Sequence, residues 1–216
     1  MYRVPNLSER ERLTVEALLD LIEEADWRGA DLAGEDLSDL DLSAPVLEAQ
    51  WQARGFSSDK MPPWWSPANQ DEGKPAGINL YRAQMEITVL RRAALPGADL
   101  RGAVLAGAAG GGANLDGALL EGADLRGASF KGASFQGADL SRCEGQLSFF
   151  GECNLVGANL SGGQFESAEF LNADLRKADL RGARFPGALF MGADLRGALL
   201  EGADFAGANL ERTRQA

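Results

Sequence analysis

The sequence predicts an all-β solenoid, a chain that turns a corner every five residues and closes a square coil every twenty. Three observations carry this. From Ile78 to Arg212 the 216-residue chain divides into 27 consecutive blocks of five without an insertion. The third position of the blocks is Leu 16 times, Phe 8 times, Met once and Gly twice; the first is Ala 21 times and the fifth Gly 17 times. Like residues also recur twenty apart, as Phe130, Phe150, Phe170 and Phe190, as Phe165, Phe185 and Phe205, and as an unbroken Leu80, Leu100, Leu120, Leu140, Leu160, Leu180 and Leu200.

Each part of the block has a physical reason. Five residues advance an α-helix by about 500°, so successive leucines would wander around it. An odd period also defeats strand alternation, because the leucine would change faces at every block. A short extended face followed by a turn satisfies both constraints. The leucine and the first-position alanine then point inward, and glycine occupies the dihedral the turn requires. Four faces close a coil, and stacked coils pair backbone to backbone at about 4.8 Å. At 6.75 coils the rod is roughly 30 Å long. Gly110 and Gly145 interrupt two of the inward columns; the expectation there is local looseness and a cavity. The run Gly107-Ala108-Ala109-Gly110-Gly111-Gly112 lacks the Lys-Ser/Thr of a phosphate loop and reads as a degenerate coil.

Blocks such as Ala98-Asp99-Leu100-Arg101-Gly102 and Ala158-Asn159-Leu160-Ser161-Gly162 resemble the pentapeptide-repeat family, whose consensus is A(D/N)LXX. The resemblance covers residues 78–212. It implies a right-handed quadrilateral β-helix.

Ahead of the main run the chain reads in four parts. Residues 1–26 contain a helix over 9–25, with Ser8 and Glu11 as a capping box and Leu18, Leu21, Ile22 and Ala25 on one face. It is predicted to cap the solenoid, whose end would otherwise expose unpaired backbone and apolar side chains; the alternative is a partner-binding helix. Residues 27–49 repeat the five-residue period in a shifted frame, through Ala30-Asp31-Leu32, Glu35-Asp36-Leu37, Leu40-Asp41-Leu42 and Pro45-Val46-Leu47. Residues 50–77 lose the period and hold Trp51, Trp64 and Trp65 among four prolines. They read as a loop insertion, either folded back on the coil or offering an anchor for a partner. Residues 78–212 are the main solenoid, and 213–216 a short tail.

Composition narrows function. Lys plus Arg total 21 against 32 Asp plus Glu, for a net charge of −11, which argues against nucleic-acid binding. No apolar run reaches a membrane span. Histidine is absent, which removes imidazole metal sites and the commonest general base. No metal, cofactor or catalytic residue is predicted, and an enzyme is not expected. Cys143 and Cys153 take inward alanine positions half a coil apart. They read as buried reduced thiols on opposite walls, in a bacterial chain that is cytoplasmic because no export signal opens it.

The expected function is a protein-interaction or scaffold module with an unknown protein partner. Outward positions are mostly polar, but Phe149, Leu171, Leu189 and Met191 gather on one wall, and contiguous apolar surface marks interaction sites. The candidate partner-binding residues are these four with Trp51, Trp64 and Trp65. A final coil left open would pair end to end with a second copy, giving a homodimer through the C-terminal coil. The family resemblance implies an alternative, a DNA mimic that binds DNA gyrase or topoisomerase IV and protects against quinolones. Charge resolved along the chain weighs against it: residues 78–212 carry 13 basic and 16 acidic side chains, whereas residues 1–77 carry 7 and 16. The acid sits at one end, where a basic partner would be sought.

Overall fold

A computed structural model describes residues 37, 40, 42, 49, 52, 53 and 78–215. The predicted helix over 9–25 and Trp51, Trp64 and Trp65 lie outside the described residues.

The backbone explains the five-residue unit amide by amide. In each block the first-position N–H closes a turn onto the preceding third-position carbonyl, as Ala103 onto Leu100 at 3.0 Å. The second-position N–H bonds back to the previous coil, and the third and fifth bond forward to the next. Asp99 donates to Ile78 at 2.9 Å, Leu100 to Leu119 at 2.7 Å and Gly102 to Glu121 at 3.0 Å. Parallel bridges therefore join residues twenty apart, from Asn79↔Asp99 to Asp194↔Arg214. The ladder continues through Arg214, two residues past the last full block. Among the described residues each face contributes one isolated bridge rather than an extended strand, because the next two residues are already the turn.

That turn places its third residue in the left-handed region. All 27 fifth positions have positive φ, 17 of them glycine and 10 not. An i→i+3 bond with positive φ at i+2 is the type II signature.

One amide per block is left over, at the fourth position. In twelve blocks a second-position Asp or Asn accepts it, as Asn114 does from Asp116 at 3.0 Å. Every Asp or Asn at a second position between 79 and 209 does so. The repeat therefore favours these residues because they finish the backbone hydrogen-bonding of the turn. Pro96 and Pro186 reach the same end by having no N–H.

Four walls follow, named by their inward residues: the first through Leu80 and Leu100, the second through Met85 and Leu105, the third through Leu90 and Phe130, the fourth through Leu95 and Phe135. First and third positions are buried through Leu195. Leu37, Leu40 and Leu42 join this core. Leu37 N–H donates to Val89 at 2.8 Å and Leu42 N–H to Ala94 at 2.9 Å. Leu37 thus lies beneath Leu90 on the third wall and Leu42 beneath Leu95 on the fourth. Leu80 starts the first wall of the same coil. Neighbouring faces normally stand five residues apart; Leu42 and Leu80 stand 38 apart. Within that interval Ala49, Gln52 and Ala53 are helical and exposed.

The C-terminal half is filled by phenylalanine. Rings stack within a wall, as Phe150–Phe170 at 5.2 Å and Phe170–Phe190 at 4.8 Å, and meet edge-on across walls, as Phe185–Phe190 at 5.2 Å. The intra-wall spacing matches the ladder, so the backbone repeat itself sets the stacking distance.

Two expectations are corrected here. Gly110 and Gly145 leave no cavity: a methyl built on Gly110 would overlap Cδ1 and Cε1 of Phe130, and one on Gly145 the same atoms of Phe165. The first ring of each phenylalanine column leans into the space its glycine leaves one coil earlier. The glycine run 107–112 is also a regular coil, with Gly110 N–H donating to Ser129 at 2.7 Å and Gly112 to Lys131 at 3.0 Å.

Candidate functional site

The third wall departs from the polar pattern. Its second positions run Ser129, Phe149, Glu169 and Leu189 in consecutive bridges. Its fourth positions run Lys131, Gly151, Leu171 and Met191. Phe149 is 42% exposed, whereas Leu171, Leu189 and Met191 are half-buried. Leu171 and Met191 are adjacent along the coils, with Asn172 N–H donating to the Met191 carbonyl at 3.0 Å.

Gly151 has no side chain between Lys131 and Leu171, and a depression of about 250 Å³ opens there. Ser129, Lys131, Phe149, Gly151, Glu152, Glu169, Leu171 and Asn172 line it. Lys131 pairs with Glu152 at 3.1 Å on its rim. The structure thus brings Phe149 and Leu171 together, with Leu189 and Met191 one coil beyond.

Sequence reasoning missed Leu147. It precedes Phe149 at the corner, is 62% exposed and holds φ +59°. A bulky residue in the left-handed region costs about 1–2 kcal/mol relative to its ordinary conformation. The available signal was an apolar residue where most blocks place glycine. Ile87 shares these traits, with φ +51° and 66% exposure, but sits three coils away from Leu147 on the same corner.

Five Asp-Leu-Arg blocks fold the arginine back on its own aspartate, each with Arg Nη2 2.6 Å from the carboxylate. The hydrogen-bonded guanidinium holds Asp124, Asp174 and Asp179 below the usual carboxylate range and Asp194 down to about 2. At the corner beside the fourth wall, Asp174, Arg176, Asp194, Arg196 and Arg214 surround a shallow cleft of about 440 Å³.

Cys143 and Cys153 are free and buried. Burial raises both thiols, Cys153 to about 12. Their Sγ–H groups donate to the Leu120 and Phe130 carbonyls at 3.0 and 2.9 Å. Neither is a nucleophile in the folded rod. Among the described residues no three Asp, Glu or Cys side chains are grouped as a metal site requires.

No curated protein matches the chain by sequence. Among solved structures, HetL, a pentapeptide repeat protein involved in heterocyst differentiation regulation from the cyanobacterium Nostoc sp. strain PCC 7120, is 24% identical, covering 94% of this chain and 95% of its own, with a TM-score of 0.42. Trypsin-treated QnrB1, a plasmid-mediated fluoroquinolone resistance protein, is 19% identical over 84% of this chain and 77% of its own, with a TM-score of 0.37. A second pentapeptide repeat protein from Nostoc PCC 7120, alr5209, is 34% identical over 48% and 74%, with a TM-score of 0.22. The family profile described as pentapeptide repeats matches in 8 copies over residues 111–144, 153–192 and 188–214. With those copies lying on the five-residue ladder of the four-walled coil, the chain belongs to the pentapeptide-repeat family.

Proposed function

We propose that the chain is a non-enzymatic protein-interaction module that docks a protein partner on its third wall. The observation that carries this is exposed Phe149, which lines the depression together with Leu171, with exposed Leu147 at the corner that precedes Phe149. Apolar anchors around a pocket are the ordinary anatomy of a hot spot. Leu147 sits in an unfavourable dihedral that a glycine would relieve, and strain of this kind concentrates at functional positions. Leu189 and Met191 extend the surface. Trp51, Trp64 and Trp65 are retained as a second candidate surface on composition alone, and a cytoplasmic setting belongs to the same proposal.

Affinity capture from a cell extract tests this reading. Leu171→Glu should lose the partner, while Ser161→Glu, the same charge change on the opposite wall, should retain it. Equal capture by both variants would refute the wall. Trp64→Ala/Trp65→Ala tests the second surface in the same assay.

Assembly through the C-terminal coil is a separate proposal with its own observation. The forward-pointing N–H groups of Leu200, Gly202, Phe205 and Gly207 have no backbone partner among the described residues, and Leu200, Phe205 and Leu210 are only partly buried. A second copy would cover them. A strict monomer by light scattering at high concentration would remove the idea.

The duplex-mimic reading has less support, because five of the rod's aspartates are bound to their own arginines and cannot line up as phosphates do. A gyrase supercoiling assay with and without ciprofloxacin separates it from docking on the third wall.

A further inference from the structure

Nine acidic side chains stand at second positions of the blocks in residues 78–212. Eight have a partner: an arginine of the same or a neighbouring coil, a turn amide, or both. Glu169 has none among the described residues. It is half-buried, bridged between Phe149 and Leu189, and lines the depression with Leu171. An Asp or Asn at this position accepts the fourth-position amide wherever one occurs in the rod; Glu169 is one methylene longer and makes no bond to Leu171 N–H. The cation among the lining residues, Lys131, is engaged by Glu152. Glu169 thus gives the fold neither a turn bond nor an ion pair, and its two ladder neighbours, Phe149 and Leu189, offer a carboxylate no partner. A residue that breaks the local rule without structural gain points to function.

We infer that Glu169 is the specificity-determining residue of the third wall, and that the occupant is a protein segment carrying an arginine next to an apolar residue. The inference rests on the docking reading above and adds the chemistry of the partner. A guanidinium fork meets a carboxylate through two parallel hydrogen bonds. Its flat face stacks on an aromatic ring, here Phe149, as an ammonium cannot. The neighbouring apolar side chain of the segment covers Leu171.

A random dodecapeptide phage library panned on the full chain tests this. The expected result is enrichment of peptides with Arg adjacent to Leu, Ile, Met or Phe. By fluorescence polarisation, a selected peptide should bind Glu169→Gln about tenfold more weakly. Replacing its arginine by citrulline should cost the same, and combining the two changes should cost little more. Unchanged thermal melting of Glu169→Gln separates lost recognition from lost folding. Enriched peptides without arginine, or equal binding to Glu169→Gln, overturn the inference and leave the docking wall standing. Peptides that still bind Phe149→Ala/Leu171→Glu, or no enrichment at all, overturn the wall as well. Self-association of the free chain that Phe149→Ala abolishes, with no arginine selected, makes a second copy the occupant and overturns the inference.

Discussion

Substituting Gly110 by alanine sets a methyl against a ring that cannot retreat. Gly110 is not at a turn position, so alanine meets no backbone penalty there; the obstacle is Phe130, whose Cδ1 and Cε1 occupy the place of the new Cβ. Phe130 is fully buried, stacked on Phe150 at 5.9 Å and edge-on to Phe135 at 5.2 Å. Relief requires moving the ring against both neighbours. Overpacking of this kind costs about 1–3 kcal/mol. The control lies next door: a methyl on Gly111 would find its nearest neighbour, the Lys131 carbonyl, at 3.6 Å. That substitution should be neutral or stabilising by about 0.4–1 kcal/mol through the unfolded chain. The two variants should therefore differ by roughly 1–4 kcal/mol, or about 2–16 °C in Tm for a chain of this size. Circular dichroism during heating, with urea unfolding as a second probe, measures it. The double variant Gly110→Ala/Phe130→Leu should recover much of the loss, a coupling of about 1 kcal/mol or more in the cycle. If Gly110→Ala melts with Gly111→Ala, or the cycle shows no coupling, the leaning-ring account of the column is wrong.

Four further outcomes are expected. Asn114→Ala removes the acceptor of the Asp116 amide and should lower stability by about 1 kcal/mol, whereas Ala109→Asn should raise it slightly by supplying one; urea midpoints compare the two. Leu147→Gly should stabilise the rod by a few tenths to about 1 kcal/mol while weakening capture of the partner, and a stabilised variant with intact capture would count against the site. Asp124, Asp174, Asp179 and Asp194 have folded-state values below their unfolded ones, so their contribution is fully present above about pH 4 and is lost as pH falls toward about 2, the value for Asp194; the urea midpoint should be flat from pH 7 to 5 and fall between 4 and 2, less steeply in 1 M salt. Cys143 and Cys153 should resist a thiol reagent in buffer and both react in denaturant; fast labelling of the native chain would contradict their burial.

The repeat and its closure at twenty were legible in the sequence because every block repeats one backbone solution. Column positions such as Phe150 and Phe170 followed from counting alone. The glycine columns were misread for a physical reason: the sequence gives the volume at each level, but not the tilt of a ring along the rod axis. Gly110 and Phe130 look like separate levels in the sequence and share one space in the fold. Phe149 and Leu171 were identifiable from outward parity. The solitary state of Glu169 was not, since it depends on whether the cation beside it is already taken, and Lys131 had to be seen bound to Glu152. Leu147 carried a readable signal, an apolar side chain at a glycine position, although parity alone does not single it out.

The bridge from each residue to the one twenty further on makes position in this rod a matter of modular arithmetic. Phe149, Glu169 and Leu189 are one address read at three levels, and so are Gly151, Leu171 and Met191. Removing five residues anywhere between them would carry everything downstream a quarter-turn to the next wall, keeping each block intact while dispersing the surface. Removing twenty would shorten the rod and leave the downstream walls aligned. Changes of length in such a chain are therefore silent or disruptive according to their remainder on division by twenty, and a surface of this kind could be relocated along the axis by cutting and rejoining whole coils.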